Sequence, residues 1–355
     1  MNKKKSLKDS NVLFTLIAIL IGFVFGAIML KLAKISPMEA YVSLFNGVFS
    51  RPKNMIWSVI YATPLILTGL SVAFSFRTGV FNIGAEGQFV VGTLAACCVG
   101  ILVDVPKIIH IPLCFIAAIA AGSLWGLLVA YLKVKRGINE VLSMIMFNWI
   151  AFYLSNYIMN FAILHKQNGG EATKDVLDSA KITLPFLDAK TFGPNANWGI
   201  IIAILAALLI YFIINKTTLG YQLRAVGFNK NAAEYGGISA NRAVMTAMAI
   251  SGGLAGLGGA MQLMGMSMRI SQFSSQEGYG FQGITVALIG ASNPIGCIFA
   301  GLFYGAMKYG GSKLNLVGAP SEIVDIIMGC IVFFIAISHV FKAIVNKKSS
   351  KKEVK

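Results

Sequence analysis

The sequence predicts an all-α protein, a polytopic membrane helical bundle of about ten transmembrane helices, and three observations predict it. Apolar residues make up 56% of the 355 positions and charged residues only 12%. With a mean hydropathy of +0.73, this is far from the balance of a soluble globular domain. The apolar residues gather in runs near the roughly 20 needed to cross a bilayer. Finally, the 30 basic residues outnumber 14 acidic ones, for a net charge of +16, and collect at the chain ends and in short loops beside those runs. That is how topology is set in a membrane protein. The charge therefore calls for a lipid bilayer, and no nucleic acid is expected as a partner.

The first run, 12–34, follows the basic flank MNKKKSLKDS. It is long enough to span and no small-residue cleavage site follows, so a retained anchor helix is expected rather than a removed signal. The same length rule places helices at 55–76, 80–103, 108–132, 141–164, 198–215 and 243–265. The helix at 80–103 opens on the polar, glycine-rich stretch TGVFNIGAEGQF, residues 78–89, which leaves open whether it is continuous or re-entrant. Helices at 280–293 and 295–312 are short and meet at Asn293–Pro294. They are read either as two crossings or as one re-entrant pair. A last helix at 320–342 precedes a basic tail, 346–355. An even number of crossings puts both basic termini in the cytoplasm, where well over half of the 30 basic residues then lie.

On that topology the transmembrane domain is 1–345, with an extracellular loop at 165–197 and a cytoplasmic loop at 216–242. The outer loop is near neutral, carries Gly169-Gly170, Pro185 and Pro194, and is long enough to dock a partner. The inner loop, KTTLGYQLRAVGFNKNAAEYGGISANR, has an Ala232-Ala233-Glu234 core and a Gly236-Gly237 stop, the pattern of a short surface helix with a glycine C-terminus. Glycines four apart within the runs (Gly22 and Gly26, Gly122 and Gly126, Gly252 and Gly256, Gly301 and Gly305) predict close backbone packing between helices.

Enzyme chemistry has no foothold. The five cysteines lie inside apolar segments and read as small buried hydrophobes, and the three histidines are scattered without metal-ligand spacing. GGLAGLGGAM fails as a dinucleotide fingerprint, and GAMKYGGSK misses the phosphate loop because Gly311 stands where lysine is required. No catalytic constellation appears, and neither a cofactor nor a metal is expected. The remaining polar groups lie in or beside the apolar runs: Asn82, Glu86 and Gln88; Asn139, Glu140 and Asn148; Gln262, Gln276, Glu277 and Gln282. Such groups face an aqueous pathway or a partner. Asn82 and Glu86, four apart, and Gln88 are equally suited to satisfying backbone in a broken helix start. Asn139 and Glu140 follow Lys133, Lys135 and Arg136, which suits a cap or salt bridge.

Three stretches go beyond composition: TGVFNIGAEGQF at 78, RAVGFNKNAAEYGGISANRA at 224 and GYGFQGITVALIGASNPIG at 278. Together with GINEVLSMIMFNWIA at 137 and SGGLAGLGGAMQ at 251, they resemble the signature segments of ATP-binding-cassette importer permeases of the branched-chain amino acid, ribose and nucleoside type. The resemblance runs from about Tyr61 to Val332 and is nearest to the nucleoside and simple-sugar branch. It implies two related halves within the ten-helix fold, a second permease chain (identical or different), two ATP-binding subunits or one duplicated ATPase, and an extracellular substrate-binding lipoprotein. It implies a multi-pass plasma-membrane subunit without ATPase activity of its own, importing nucleosides or, alternatively, ribose-type sugars. The coupling helix of such permeases corresponds here to Gly227, Asn229, Ala232, Ala233, Glu234, Gly237 and Ile238, and the substrate pathway is expected at Asn82, Glu86, Gln88, Asn139, Glu140 and Asn148. Phe228 and Ala291-Ser292 depart from the polar residues common at those places. The rival expectation is an ion-coupled secondary transporter with Glu86 and Asp325 as coupling carboxylates.

Overall fold

The computed structural model describes residues 11–167, 170–184 and 188–352, with side chains described from Thr15 to Ile337 apart from position 189. Lys3, Lys4, Lys5, Lys8, Gly169, Pro185 and the last three residues of the basic tail lie outside the described residues. Two compact units form: one is Arg51–Ala306, and the other joins the chain up to Ser50 to the chain from Met307 onward. Among the described residues there are helices, turns and isolated bridges but no strand.

The smaller unit contains α1 (Asn11–Leu32), α2 (Pro37–Phe49) and α14 (Ile323–Lys352). Gly22 and Gly26 lie directly against Ile331 and Ile327 of α14; a Cβ on either glycine would fall 2.4 Å from an isoleucine carbon. The spacing thus marks a contact, as the small-residue rule requires. Helix α2 was not expected. Ser36 accepts from the Glu39 N–H at 3.4 Å and Pro37 occupies the first turn, a capped start in a stretch too short to register as a span. The backbone of the expected basic tail continues α14 as far as Lys352.

The larger unit contains α3 (Pro52–Arg77), α4 (Ala85–Leu102), α5 (Lys107–Arg136), α6 (Glu140–Ile158), α7 (Ala189–Phe192), α8 (Gly199–Lys216), α9 (Thr218–Phe228), α10 (Lys230–Tyr235), α11 (Ala240–Gln262), α12 (Tyr279–Ile289) and most of α13 (Pro294–Gly311). Helix α11 continues into a π turn, Leu263–Ser267. Among the described residues, seven helices are long and apolar enough to cross a membrane: α1, α3, α4, α5, α6, α8 and α11 with its π turn.

Helices α3, α4 and α11 form the centre. From Ala62 to Ser75 every side chain of α3 is buried, and its hydroxyls turn back onto its own carbonyls, Thr63 to Val59 and Thr68 to Pro64, each at 3.0 Å. Helix α5 crosses α11 at glycine: a Cβ on Gly252 would sit 2.2 Å from the Gly122 carbonyl oxygen, and one on Gly126 would sit 2.5 Å from that of Met248. Helices α6 and α8 expose Met146, Trp149, Ile150, Leu205, Leu209 and Phe212, the apolar surface a helix turns to lipid.

Besides the helix expected at 141–164, which ends early at Ile158, two boundaries bear on the interior of the protein. The helix expected at 80–103 begins only at Ala85. Residues 78–84 are irregular, with Gly79 at φ +73°, a left-handed backbone that glycine adopts without strain. The helix expected at 280–293 is α12, with 11 residues; at 1.5 Å per residue it is about 16 Å long, half the depth of a bilayer. It ends in a turn where Ala291 and Ser292 both take φ +51°. The 216–242 loop is more helical than expected, with α9 preceding the surface helix α10.

The described parts of the 165–197 loop are folded onto the helix ends. Its backbone bonds to theirs (Val176 to Met268 at 2.8 Å, Leu177 to Gly100 at 2.9 Å, Ile182 to Met264 at 3.2 Å), and Thr173, Val176, Ala180 and Ile182 are buried. Its charges stay at the rim. The Lys181 ammonium, 2.6 Å from Asp178, holds that carboxyl below the usual range. The Thr191 hydroxyl and the Lys190 N–H do the same to Asp188.

Candidate functional site

An asparagine in an irregular segment inside a protein must satisfy both itself and the bare backbone around it. Asn82 is fully buried, and its amide donates to Ser251 Oγ at 2.6 Å, Gln88 Oε1 at 2.8 Å and Ser71 Oγ at 3.3 Å. Gln88 Nε2 donates back to Asn82 Oδ1 at 3.2 Å, and Ser251 Oγ donates to the Ser71 carbonyl at 2.8 Å. This network ties α3, the 78–84 segment, α4 and α11 together at one point. Asn148 on α6 closes it from the side: its Oδ1 accepts from the Gly87 N–H at 2.8 Å, and its Nδ2 donates to the Ile83 carbonyl at 3.1 Å.

Glu86, also fully buried, has a separate task. Its two carboxylate oxygens accept from the backbone N–H groups of Gly278 and Gly280, each at 2.7 Å. These are the groups that α12 leaves unsatisfied at its N-terminus, and a carboxylate there also suits the helix dipole. Gly280 permits the approach, since a Cβ would lie 2.1 Å from the Glu86 backbone nitrogen; Tyr279 stacks on Phe89 with ring centroids 5.1 Å apart. At the other end of α12, Arg77 Nε donates to the Ser292 carbonyl at 3.1 Å. A short helix inside the protein is thus gripped by an acid at its start and a base just past its end.

Asn82, Glu86, Gln88 and Asn148 are brought together around the start of α4. Asn139 and Glu140 are not among them. Asn139 caps α6, its Oδ1 accepting from the Val141 and Leu142 N–H groups at 2.9 and 3.2 Å, and Glu140 pairs with Lys133 at 2.6 Å. Ser71, Ser251 and Arg77 escaped the reading of the sequence. Serines in apolar helices look like packing residues, and Arg77 looks like a topological charge; only their contacts set them apart.

The seven residues expected to form the coupling helix fall on α9, α10 and their caps. Asn229 ends α9 and caps α10, its Oδ1 accepting from the Ala232 N–H at 3.0 Å. Gly237, at φ +81°, ends α10, and the Ile238 N–H returns to the Ala233 carbonyl at 3.0 Å, a glycine-terminated helix end. Glu234 is exposed. Phe228 and Tyr235 stand out from the surface, 89% and 95% exposed, beside a groove of about 440 Å³ lined by Tyr221, Asn229, Ala232, Ala233 and Ile238. Gly227 faces inward: a Cβ there would lie 2.2 Å from the Arg77 carbonyl oxygen, and Gly79 packs on its Cα. The exposed α9–α10 pair therefore touches the segment that carries Asn82.

Residues 54–336 match the family described as branched-chain amino acid transport system / permease component. The chain is 41% identical to the guanosine ABC transporter permease protein NupP of Bacillus subtilis, over 96% of this chain and 98% of that protein. It is 33% identical to the nucleoside ABC transporter permease protein NupB of Lactococcus lactis, over 96% and 94%. It is 30% identical to the glucose ABC transporter permease protein TsgB13 of Haloferax volcanii, over 92% and 87%. No solved structure matches. With that family spanning most of its length and seven of the described helices able to cross a bilayer, the chain belongs to the branched-chain amino acid transport system permease family, as a multi-pass membrane component of an ATP-binding-cassette transporter.

Proposed function

We propose that this permease imports nucleosides. The observation that carries the reading is the 41% identity to a guanosine permease across nearly the whole of both chains. Residues 1–345 form the permease domain and 346–355 a basic tail, both termini are cytoplasmic, the 165–197 loop is outside and the 216–242 loop inside. About ten membrane-embedded helices are arranged as two related halves. In support, each half has one helix that begins inside the protein after an irregular lead-in, α4 after 78–84 and α12 after 268–278.

Energy comes from outside the chain. Two ATP-binding subunits, or one duplicated ATPase, seat on the α9–α10 groove, where Phe228 and Tyr235 offer exposed aromatic anchors of the kind that dominate interfaces. Gly227 carries their movement to the 78–84 segment. A second permease chain completes the pathway, and an extracellular lipoprotein delivers the nucleoside. Asn82, Gln88 and Asn148 hold the pathway wall and Glu86 holds α12 against it, while Asn139 and Glu140 fix the start of α6 at its inner end. Glu86 is engaged by two backbone donors and Asp325 is exposed on α14, an arrangement that favours ATP-driven over ion-coupled transport.

The test is uptake of labelled guanosine by vesicles containing the full transporter, with ATP or with only a proton gradient. Accumulation that requires ATP and is inhibited by unlabelled inosine is expected. The glucose permease relative keeps a sugar importer as the second reading; inhibition by glucose or ribose with none by inosine would establish it instead.

A further inference from the structure

A cavity of about 130 Å³ lies between α4, the end of α11 and the segment leading into α12, and its wall includes Thr93, Gln262, Arg269, Gln272, Phe273 and Glu277. The backbone of that segment is fixed from behind. The Val176 N–H donates to the Met268 carbonyl at 2.8 Å, the Thr173 N–H to that of Ile270 at 2.9 Å, and the Gln272 N–H to that of Glu171 at 2.9 Å. Asn156 holds Phe273 by both its N–H and its carbonyl, each at 3.0 Å, and Glu86 takes the Gly278 N–H at 2.7 Å. The loop is thus pinned along its length, and its side chains supply the chemistry of the cavity.

The side chains on the wall are balanced: one guanidinium, one carboxylate and two primary amides, with three hydroxyls (Thr93, Ser267 and Ser271), an isoleucine and an aromatic ring. An ion of either sign would meet its own charge, whereas an uncharged molecule with both donors and acceptors finds a partner for each. Arg269 also lies 3.8 Å from Asp175, and Glu277 is the one carboxylate in the cavity lining.

We propose that this cavity is a substrate subsite, and that Glu277 accepts two adjacent donors of an uncharged nucleoside, so that the permease itself discriminates among substrates. The proposal rests on the nucleoside reading above. Adjacent donors occur at two places on such a molecule: the N1–H and 2-amino group of guanine, and the 2′,3′-diol of ribose. Cavities that enclose a whole ligand measure roughly 300–1,000 Å³, so this one admits a single ring and leaves the other in the pathway. Glu277 immediately precedes the peptide that Glu86 grips, and a ring bound there presses directly on the first turn of α12.

The test compares uptake of guanosine, inosine (without the 2-amino group) and 2′,3′-dideoxyguanosine (without the diol). It uses vesicles holding the complete transporter, either wild type or with Glu277→Gln or Gln272→Ala in the permease. The binding protein is the same throughout, so a change in the ratio of rates belongs to the permease. Loss of a charge-assisted acceptor should lower guanosine uptake in Glu277→Gln about tenfold or more. The preference for guanosine over inosine should collapse if Glu277 reads the base, and that over the dideoxy compound if it reads the sugar. Both ratios unchanged in Glu277→Gln overturn the proposal. Should that variant fail to assemble with its partners, the ratios in Gln272→Ala and Thr93→Val decide, and no change in either is equally fatal. Wild-type vesicles that carry none of the three compounds overturn the nucleoside reading and the subsite together, an outcome distinct from transport with unaltered ratios.

Discussion

Removing the Glu86 carboxylate should loosen one end of one helix. In Glu86→Ala the N–H groups of Gly278 and Gly280, each now 2.7 Å from a carboxylate oxygen, lose their acceptor at a place where Glu86 itself has no exposed surface. A hydrogen bond to a charged group contributes about 1.5–3 kcal/mol, so two contribute roughly 3–6 kcal/mol. At 1.4 kcal/mol per tenfold, the open population of the first turn of α12 rises by at least about a hundredfold. Glu86→Gln keeps one carbonyl oxygen but turns an NH2 toward the other donor, so roughly half of the effect remains. Hydrogen–deuterium exchange on the purified transporter in lipid nanodiscs reads this directly: peptides covering 278–286 should exchange much faster in the alanine variant and moderately faster in the glutamine variant. Peptides of α8, which packs against α3 and α9, should not change. Wild-type exchange across 278–286 in Glu86→Ala would refute the idea that this carboxylate secures the helix.

Asn82→Ala removes donors to Ser71, Gln88 and Ser251 together and should cost about 2–4 kcal/mol, seen as a lower unfolding temperature of the solubilised permease; Ser71→Ala should cost less because Asn82 retains two partners. Gly227→Ala places a methyl 2.2 Å from the Arg77 carbonyl oxygen. That overpacking costs about 1–3 kcal/mol and should reduce ATP-driven uptake, whereas alanine at Gly329 on α14, where an added Cβ meets nothing within 4 Å, should leave uptake near wild type. Asp178 is held below the ordinary carboxylate range by Lys181, so its pairing is present above that range and is lost as pH falls through the lowered value. In Lys181→Met its midpoint, followed by carbon-13 NMR, should move up. Phe228→Ala and Tyr235→Ala together should weaken co-purification of the ATPase while leaving permease expression unaltered.

Much was legible in the residues one by one. Apolar runs must be buried or face lipid, so their length alone located α1, α3, α5, α6 and α8 to within a few residues, apart from the early end of α6 at Ile158. Glycines four apart leave a flat helix face with little else to do than pack, and Gly22, Gly26, Gly122 and Gly252 all do so. Caps are local chemistry, hence the stop after α10 at Gly236-Gly237. The start of α4 and the length of α12 were harder, because an interrupted helix is as apolar in composition as a continuous one.

What the sequence determined by itself is therefore a membrane bundle, the places of its long apolar helices and its membership of a permease family. Each of these depends on side-chain character summed along the chain. The partner of each buried polar group was decided only in three dimensions: Glu86 meets the backbone of residues 278 and 280, and Asn82 meets a serine 169 positions away. A hydrogen bond depends on position to within a few tenths of an ångström, and the one-dimensional pattern holds no such distance.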